Sequence, residues 1–294
     1  MTYSISTKAD GTFFRHELEP LGVTLLDRHL EPASATVTPA GDDYDCAVSL
    51  PTRRLAIGYW ASADLTIHDL DTGRALRSYP VRRVAPLAAF SSSGRQLLLQ
   101  TGPRVVLLDL DSGEPHPLVD VHALDRLVRT PEPDEVILAS ARKDEFLRLS
   151  LATGDLTRIP VSLGAAVVDV KVRPHTAQLV AITRKKAVVC LDASSFAIRW
   201  TTDLRKVIGK DHLGVGQFCG DGSLFGCAVA ARDHNYTVVL SAENGCILDR
   251  FDDVEYGHPH DGTTVRSSES IGGSPSFSYL DLATGTVGAV ELGG

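Results

Sequence analysis

The sequence predicts an all-β fold built from seven similar units of four short antiparallel strands. Two observations predict it: a strand-and-turn motif returns at a nearly constant spacing, and a second turn precedes each copy at a matching distance. A representative copy is VVLLDLDSGEP, from Val105 to Pro115, in which an apolar run ends at an aspartate and a turn follows. Asp, Ser and Gly close turns for local backbone reasons, so the repetition, and not any single copy, carries the prediction.

The first motif has seven copies that extend over nearly the whole chain of 294 residues. The residues that match Asp109 lie 40 to 49 residues apart. They are Asp27, Asp69, Asp109, Ser150, Asp192, Ser241 and Asp281. The longest interval contains RKVIGKDHLGVGQ and AARDHNYT, and we assign its extra residues to longer loops.

The second turn lies 16 to 20 residues before each of these positions. The pairs are Asp10-Gly11, Thr52-Arg53, Ser93-Gly94, Pro133-Asp134, His175-Thr176, Asp221-Gly222 and Asp261-Gly262. The segments between the turns are short, rich in Val, Leu, Ile and Ala, and often alternating, which is typical of strands. Four strands in a period of about 40–45 residues are typical of a β-propeller blade, because one such sheet buries both faces only when neighbours stack around an axis. We therefore predict one seven-bladed β-propeller domain over residues 1–294, with TYSIS as the innermost strand of the first blade and TVGAVEL as the outermost strand of the seventh.

Composition narrows the class of protein. The chain is 43% hydrophobic and 22% charged, as in soluble globular proteins, and it has no apolar run long enough to span a bilayer. Its N-terminal residues do not resemble a secretion signal, so we expect a cytoplasmic protein that does not bind membranes. A formal net charge of −8 disfavours nucleic acid as a partner. The five scattered cysteines, with no CxxC pair, argue against a disulfide framework and a structural zinc site, and favour reduced core thiols.

Charge patterning predicts where a partner binds. In a four-stranded blade the first–second and third–fourth turns share one end, which we call the lower end; the second–third turn and the connection to the next blade share the upper end. The lower end is mixed with an acidic tendency, whereas basic residues collect at the upper end and predict a docking site for an acidic partner protein. These candidate binding residues are Arg142, Lys143, Arg184, Lys185, Lys186, Arg205 and Lys206, with Lys210 nearby. Two alternatives remain open: exposed turns favour charge in any case and nearby carboxylates neutralise the cluster, and Trp60, at the end of a second strand, is either a partner anchor or a half-buried rim residue.

Signals for metal binding and catalysis are weaker. His258 and His260 point to the same side of an extended strand, a workable spacing for metal ligands, although histidines beside Pro and Gly are more often simple loop residues. The chain contains no GxSxG or HExxH motif, and Gly214 to Gly220 does not match a dinucleotide loop. The predicted inner strands supply only Asp169, Lys171, Gln217 and two arginines, which is thin for a catalytic site at a channel mouth. We therefore predict a monomeric, non-catalytic interaction scaffold without a cofactor.

The paired DG and DLxTG turns resemble those of the bacterial WD40-like propellers, including the family named for its YVTN repeats. The resemblance extends over nearly the whole chain, and it implies a propeller fold and a protein-binding role. It leaves open an alternative, a propeller enzyme of the lactonase, hydrolase or quinone-dependent dehydrogenase type. No copy of the motif ends in Trp-Asp, so ordinary core packing, in place of the polar network of strict WD40 repeats, is expected to hold the blades together.

Overall fold

A computed structural model describes most of the chain. The described residues are 3–7, 13–18, 20–26, 32–41, 44–59, 64–81, 84–101, 104–120, 126–130, 132, 134–139, 146–159, 161–173, 175–219, 222–252, 258–260, 263–267, 276–281 and 287–291. The chain divides into two compact units, one comprising residues 1–124, 132–136 and 148–157, and the other residues 125–131, 137–147 and 158–294.

The strands form one three-stranded and six four-stranded antiparallel sheets, and strands that are consecutive in sequence are neighbours in each sheet. The first sheet contains β1 (Tyr3–Thr7), β2 (Phe13–Leu18) and β3 (Leu21–Leu26). The second contains β4 (Tyr44–Ser49), β5 (Arg54–Tyr59), β6 (Leu65–Asp69) and β7 (Ala75–Tyr79). The third contains β8 (Val84–Phe90), β9 (Gln96–Thr101), β10 (Arg104–Asp109) and β11 (Pro115–Asp120). The fourth contains β12 (Arg126–Arg129), β13 (Glu135–Ala139), β14 (Phe146–Ser150) and β15 (Leu156–Ile159).

The remaining three sheets follow the same pattern. The fifth contains β16 (Val167–Val172), β17 (Gln178–Thr183), β18 (Ala187–Asp192) and β19 (Ile198–Asp203). The sixth contains β20 (His212–Phe218), β21 (Leu224–Ala230), β22 (Asn235–Ser241) and β23 (Ile247–Asp252). The seventh contains β24 (His258–His260), β25 (Thr263–Ser267), β26 (Ser276–Asp281) and β27 (Val287–Glu291). The strands predicted at the two termini are therefore β1, which pairs with β2, and β27, which pairs with β26.

Burial follows the position of a strand in its sheet. Second strands such as β5 and β17 are buried along nearly their whole length, so both faces of the pleat are covered. Fourth strands such as β7, β19 and β23 are mostly exposed. In the second unit, one apolar cluster joins strands of the fifth and sixth sheets and includes Val180, Val188, Phe225 and Val238. This apolar packing agrees with the prediction that ordinary core packing holds neighbouring sheets together.

The repeated aspartate closes the third–fourth turn. Asp109 Oδ1 accepts hydrogen bonds from the backbone N–H of Asp111 (3.0 Å) and Ser112 (2.7 Å), and Asp69 and Asp192 do the same in their own turns. The hydrogen bond from the Ser112 backbone lowers the pKa of Asp109, because it stabilises the charged carboxylate. The repeated aspartate therefore has a local structural role, because it accepts hydrogen bonds from the amides of its own turn. Its repetition reflects the repeated fold and does not indicate a binding site.

The first sheet has a strand-like addition where the other sheets have a fourth strand. Val23 and Val37 exchange two backbone hydrogen bonds of 2.8 Å, and the N–H of Ala33 donates to the carbonyl of Leu25. Residues 32–37 therefore lie antiparallel to β3, although only isolated bridges form. Pro32 lacks the N–H that a regular ladder needs, which limits regular pairing here.

One helical turn interrupts the β architecture of the described residues. It is α1 (Arg205–Ile208), which lies between β19 and β20, where we had predicted only a loop. Leu204 and Ile208 are 0% and 2% exposed, so burial of these two apolar side chains favours a compact turn over an open loop. Among the described residues, no helix has the length and hydropathy needed to cross a membrane.

Candidate interaction surface

The lower ends of five sheets are built alike. The residue after the third strand donates its N–H to a carbonyl of the first–second turn, as Leu110 does to Arg95 (2.8 Å) and Ala242 to Ser223 (2.9 Å). The same bond joins Leu70 to Arg53, Leu151 to Asp134 and Ala193 to Ala177. Both turns of each sheet therefore lie at one end, as predicted.

Three arginines at the lower ends, Arg53, Arg95 and Arg173, are paired with neighbouring carboxylates, whereas the exposed Arg74 makes no side-chain ion pair or hydrogen bond among the described residues. The Arg53 guanidinium lies 2.6 Å from an Asp71 carboxylate oxygen, and Arg95 lies 3.3 Å from Asp111. A third lower-end arginine, Arg173, bonds to Glu243 at 3.1 Å and to the carbonyl of Gly222 at 2.8 Å. These arginines link turns to one another and offer little uncompensated charge to a partner.

The upper end of the fifth sheet is different. Its second–third turn, residues 184–186, is joined to α1 by two hydrogen bonds: the Lys186 ammonium donates to the carbonyl of Gly209 at 2.7 Å, and the Leu204 N–H donates to the Lys186 carbonyl at 2.9 Å. Two segments about 20 residues apart in sequence are thus held together. This juxtaposition is the one that the charge patterning predicted for Lys186 and Arg205.

Four cations at this end are exposed and make no ion pair with a described residue. Arg184, Lys185, Lys206 and Lys210 are exposed and make no ion pair or side-chain hydrogen bond in the part of the chain that the structure describes. We call these four residues the basic cluster. Arg205, by contrast, is neutralised: Asp203 binds its guanidinium at 2.6 and 3.0 Å, and the hydrogen bond from Arg205 lowers the pKa of Asp203 to about 2. Asp203 therefore neutralises Arg205, and its charge also acts on Lys206; within the described part of the chain no ion pair neutralises Arg184, Lys185 or Lys210.

The sixth sheet anchors the loop that carries Lys210. The hydroxyl of Tyr236 donates to Asp211 Oδ2 at 2.8 Å, and the Arg250 guanidinium stacks over the Tyr236 ring at 3.7 Å from its centroid. Burial raises the pKa of Tyr236 to about 12, so the phenol stays protonated and keeps donating to Asp211. The backbone beside the basic cluster is therefore held from two sheets.

Val207 is an exposed apolar residue beside these cations, and it was not identified from the sequence. It lies in α1 beside Lys206 and is 39% exposed. The other large apolar side chains that the described residues expose lie at a lower-end turn or on fourth strands; they are Leu50, Leu76, Ile198, Ile247 and Leu248. The sequence RKVIGK shows two adjacent apolar residues, Val207 and Ile208. Only the structure shows that the helical turn buries Ile208 and leaves Val207 exposed.

Some predicted residues lie where the structure gives no side-chain placement. Trp60, Arg142 and Lys143 are outside the described residues. His258 and His260 are the ends of β24, which pairs with β25, but their side chains are also outside the described part. Among residues whose side chains are described, no group of three or more His, Cys, Asp or Glu could hold a metal ion.

The inner strands of the fifth and sixth sheets contain one buried carboxylate. Asp169, which is 2% exposed, accepts a hydrogen bond from the Gly216 N–H at 2.9 Å and lies 3.6 Å from the Lys171 ammonium. A Cβ added at Gly216 would collide with Phe225, so only glycine allows β20 to fit here. The Asp169 carboxylate is therefore engaged in joining β16 to β20.

The described thiols are mostly core residues. Cys46, Cys190, Cys219 and Cys227 are buried, and burial raises the pKa of the Cys227 thiol, so it remains protonated. Cys246 is exposed, because it lies in the turn immediately before the solvent-facing strand β23; the prediction of core thiols is wrong for this residue.

These sheets and turns define a β-propeller protein, and comparison with solved structures supports that class. The chain is similar to the crystal structure of the β-propeller domain of Cps50 (Swd1) from Myceliophteria thermophila, with a TM-score of 0.66 and 12% identity. The match covers 100% of this chain and 97% of that one. No protein-family model matches the chain, and no curated protein matches it either. At this identity the likeness shows the fold alone, and it confirms the predicted β-propeller.

Proposed function

We propose that this protein is a non-catalytic, WD40-like interaction module: one seven-bladed propeller over residues 1–294 that binds an acidic surface of another protein. The solved neighbour is a β-propeller domain. Loops on a rigid scaffold often carry recognition, so this fold suits a binding module. The predicted cytoplasmic, monomeric state without a cofactor belongs to this proposal, because such a module needs only its own folded surface.

The observation that carries the proposal is the group of exposed cations at the upper end of the fifth sheet. Arginines Arg53, Arg95 and Arg173 at the lower ends are bound to carboxylates, whereas the four cations of the basic cluster are exposed and make no ion pair with a described residue. Uncompensated cations on a chain of net charge −8 create a local field that attracts a negatively charged patch. Arg142 and Lys143, predicted for the upper end of the neighbouring fourth blade, would extend that field.

The backbone under the cluster favours recognition over simple solubility. The Lys186–Gly209 and Tyr236–Asp211 hydrogen bonds hold the turn and the α1 segment before any partner arrives. Binding then requires ordering only side-chain ends, which lowers its entropic cost.

The test is affinity capture from a lysate of the source cells with matched charge reversals. Lys185→Glu/Lys206→Glu removes two cluster cations, and Arg74→Glu/Arg95→Glu makes the same change in net charge at lower-end turns. We expect the wild type and the lower-end variant to retain the same partner, and the cluster variant to lose it by about 10-fold or more, with stronger capture at low salt. All three proteins should unfold at similar temperatures, because the four substituted side chains are exposed and the solvent-exposed Arg95–Asp111 ion pair contributes little stability. Equal retention by both variants would overturn the assignment of the surface.

A further inference from the structure

We infer that the basic cluster recognises a short acidic segment that places one aliphatic side chain against Val207. This inference rests on the proposed function and adds the chemical class of the ligand. It concerns residues of the fifth sheet and α1, whose mutual contacts were described above.

The first step is the combination of charge with one apolar contact. Lys206 and Val207 are consecutive exposed residues of a single helical turn, and Lys210 follows Gly209, at which the turn ends. A ligand of carboxylates alone would leave Val207 in water. An aliphatic side chain flanked by Asp or Glu would bury apolar surface there while its carboxylates approach Lys206 and Lys210.

The second step concerns geometry. The Lys186 ammonium is already used in a hydrogen bond to the carbonyl of Gly209, so we do not count it among the ligand-binding cations. This hydrogen bond holds the end of α1 against the 184–186 turn. Arg184 and Lys185 remain on the turn, and Lys206 remains on the helix. The cations therefore lie on two neighbouring segments, the 184–186 turn and α1. We infer that a ligand lying between these segments contacts cations from both.

The third step favours a peptide over a nucleic acid. An extended polyanion gains affinity from many phosphate contacts, but the whole chain carries a net charge of −8 and would repel the part of a strand that extends past the cluster. Single-stranded nucleic acid also needs aromatic platforms for its bases, and Val207 offers none. A segment of a few residues is short enough to stay within the favourable field.

The experiment uses the full chain and defined probes in fluorescence anisotropy. The probes are a labelled 12-residue peptide with acidic residues around a central leucine, the same peptide with alanine at that position, and a 12-nucleotide single-stranded DNA. We expect the leucine peptide to bind about 3- to 5-fold more tightly than the alanine peptide and about 10-fold more tightly than the DNA.

Substitutions complete the test. Val207→Thr keeps the branched shape, so it should abolish the preference for leucine without changing the affinity for the alanine peptide. Lys185→Glu/Lys206→Glu should weaken both peptides by about 10-fold, and Arg74→Glu/Arg95→Glu should leave them unchanged. DNA binding as tight as that of the peptide, or a leucine preference that survives Val207→Thr, would overturn the inference.

The outcomes separate this inference from the proposed function. If capture of a cellular partner depends on Lys185 and Lys206 but the peptides fail to bind, the docking surface stands and the ligand class is wrong. If the cluster variant changes neither capture nor peptide binding, both are wrong.

Discussion

The indole N–H of Trp200 donates to the backbone carbonyl of Ala242 at 3.2 Å, and this bond joins the fourth strand of the fifth sheet to the lower turn of the sixth. The first unit repeats the relationship: the Tyr79 hydroxyl donates to the equivalent carbonyl of Leu110 at 2.5 Å. The Ala35 N–H, on the segment that lies beside β3, donates to the Leu70 carbonyl at 2.8 Å. Three chemically different donors therefore bind the carbonyl at the equivalent position of three different sheets. The fold requires that this carbonyl be hydrogen-bonded, but it does not require a particular donor.

Loss of the Trp200 donor should destabilise the second unit. Trp200→Phe removes the indole N–H and some apolar area, and we expect it to lower the free energy of unfolding by about 1–2 kcal/mol. Urea unfolding followed by circular dichroism measures this. Ile198→Val on the same strand is the control, because Ile198 is half exposed and should cost little. If the two variants lose the same stability, the bond contributes nothing measurable.

Gly245 should tolerate no side chain. Its φ is +74°, and an added Cβ would lie 2.5 Å from Trp200 Cε3 and from Thr202 Oγ1. Gly164 has a similar φ of +71° but no atom within 4 Å of an added Cβ. Gly164→Ala should therefore cost about 1 kcal/mol for the backbone alone, and Gly245→Ala about 3 kcal/mol or more because the steric overlap is added. Thermal unfolding of the two variants separates the terms, and equal costs would contradict the close packing of Trp200.

Asp192 should contribute stability that acid removes. The hydrogen bond from the Ser195 backbone N–H, with the Arg199 guanidinium at 2.7 Å, holds the pKa of Asp192 well below its usual range. A depressed pKa in the folded state gives stability that is complete above the ordinary value near 4 and is lost as the pH falls through the depressed value. Asp192→Asn should therefore lower Tm by about 2 °C at pH 7, with a smaller difference at pH 3 and below. Asp233→Asn, at an exposed turn, removes one surface carboxylate in the same way and is the matched control.

Replacement of Gln96 should increase the stability of the protein. Its Oε1 is buried and has no hydrogen-bond partner among the described residues, whereas the equivalent Gln178 Oε1 accepts a hydrogen bond from Arg173 Nη1 at 2.8 Å. The difference arises because the residue equivalent to Arg173 in the third sheet is Ser91. Gln96→Leu should raise the free energy of unfolding by about 1 kcal/mol, and Gln178→Leu should lower it by about 1–2 kcal/mol. Chemical unfolding of both variants provides the measurement; stabilisation by Gln178→Leu would contradict this account.

The sequence predicted the sheets well because their turns are closed by local chemistry. Asp109 bonds to amides only two and three residues ahead, so its role is written within one short stretch. The one-turn helix α1 was missed for the opposite reason. Its four residues contain no helical periodicity of useful length, and it forms because Leu204 and Ile208 enter a core supplied by two sheets.

The basic cluster was predicted in part for a related reason. Turn positions follow from the repeat, so the upper-end location of Lys185 and Lys206 could be inferred. Whether a cation is already paired depends on side chains far away in sequence: Arg173 finds Glu243, whereas Lys185 finds no partner among the described residues.

By itself, then, the sequence determined the number and order of repeated strand-and-turn motifs, because the spacing of strands and the hydrogen bonds of turns are local properties. Only the tertiary structure decided that Lys186 is a structural donor, that its neighbour Lys185 has no ion-pair partner among the described residues, and that Val207 is exposed on α1. Those outcomes depend on packing between sheets, where contacts form between residues that no short pattern connects.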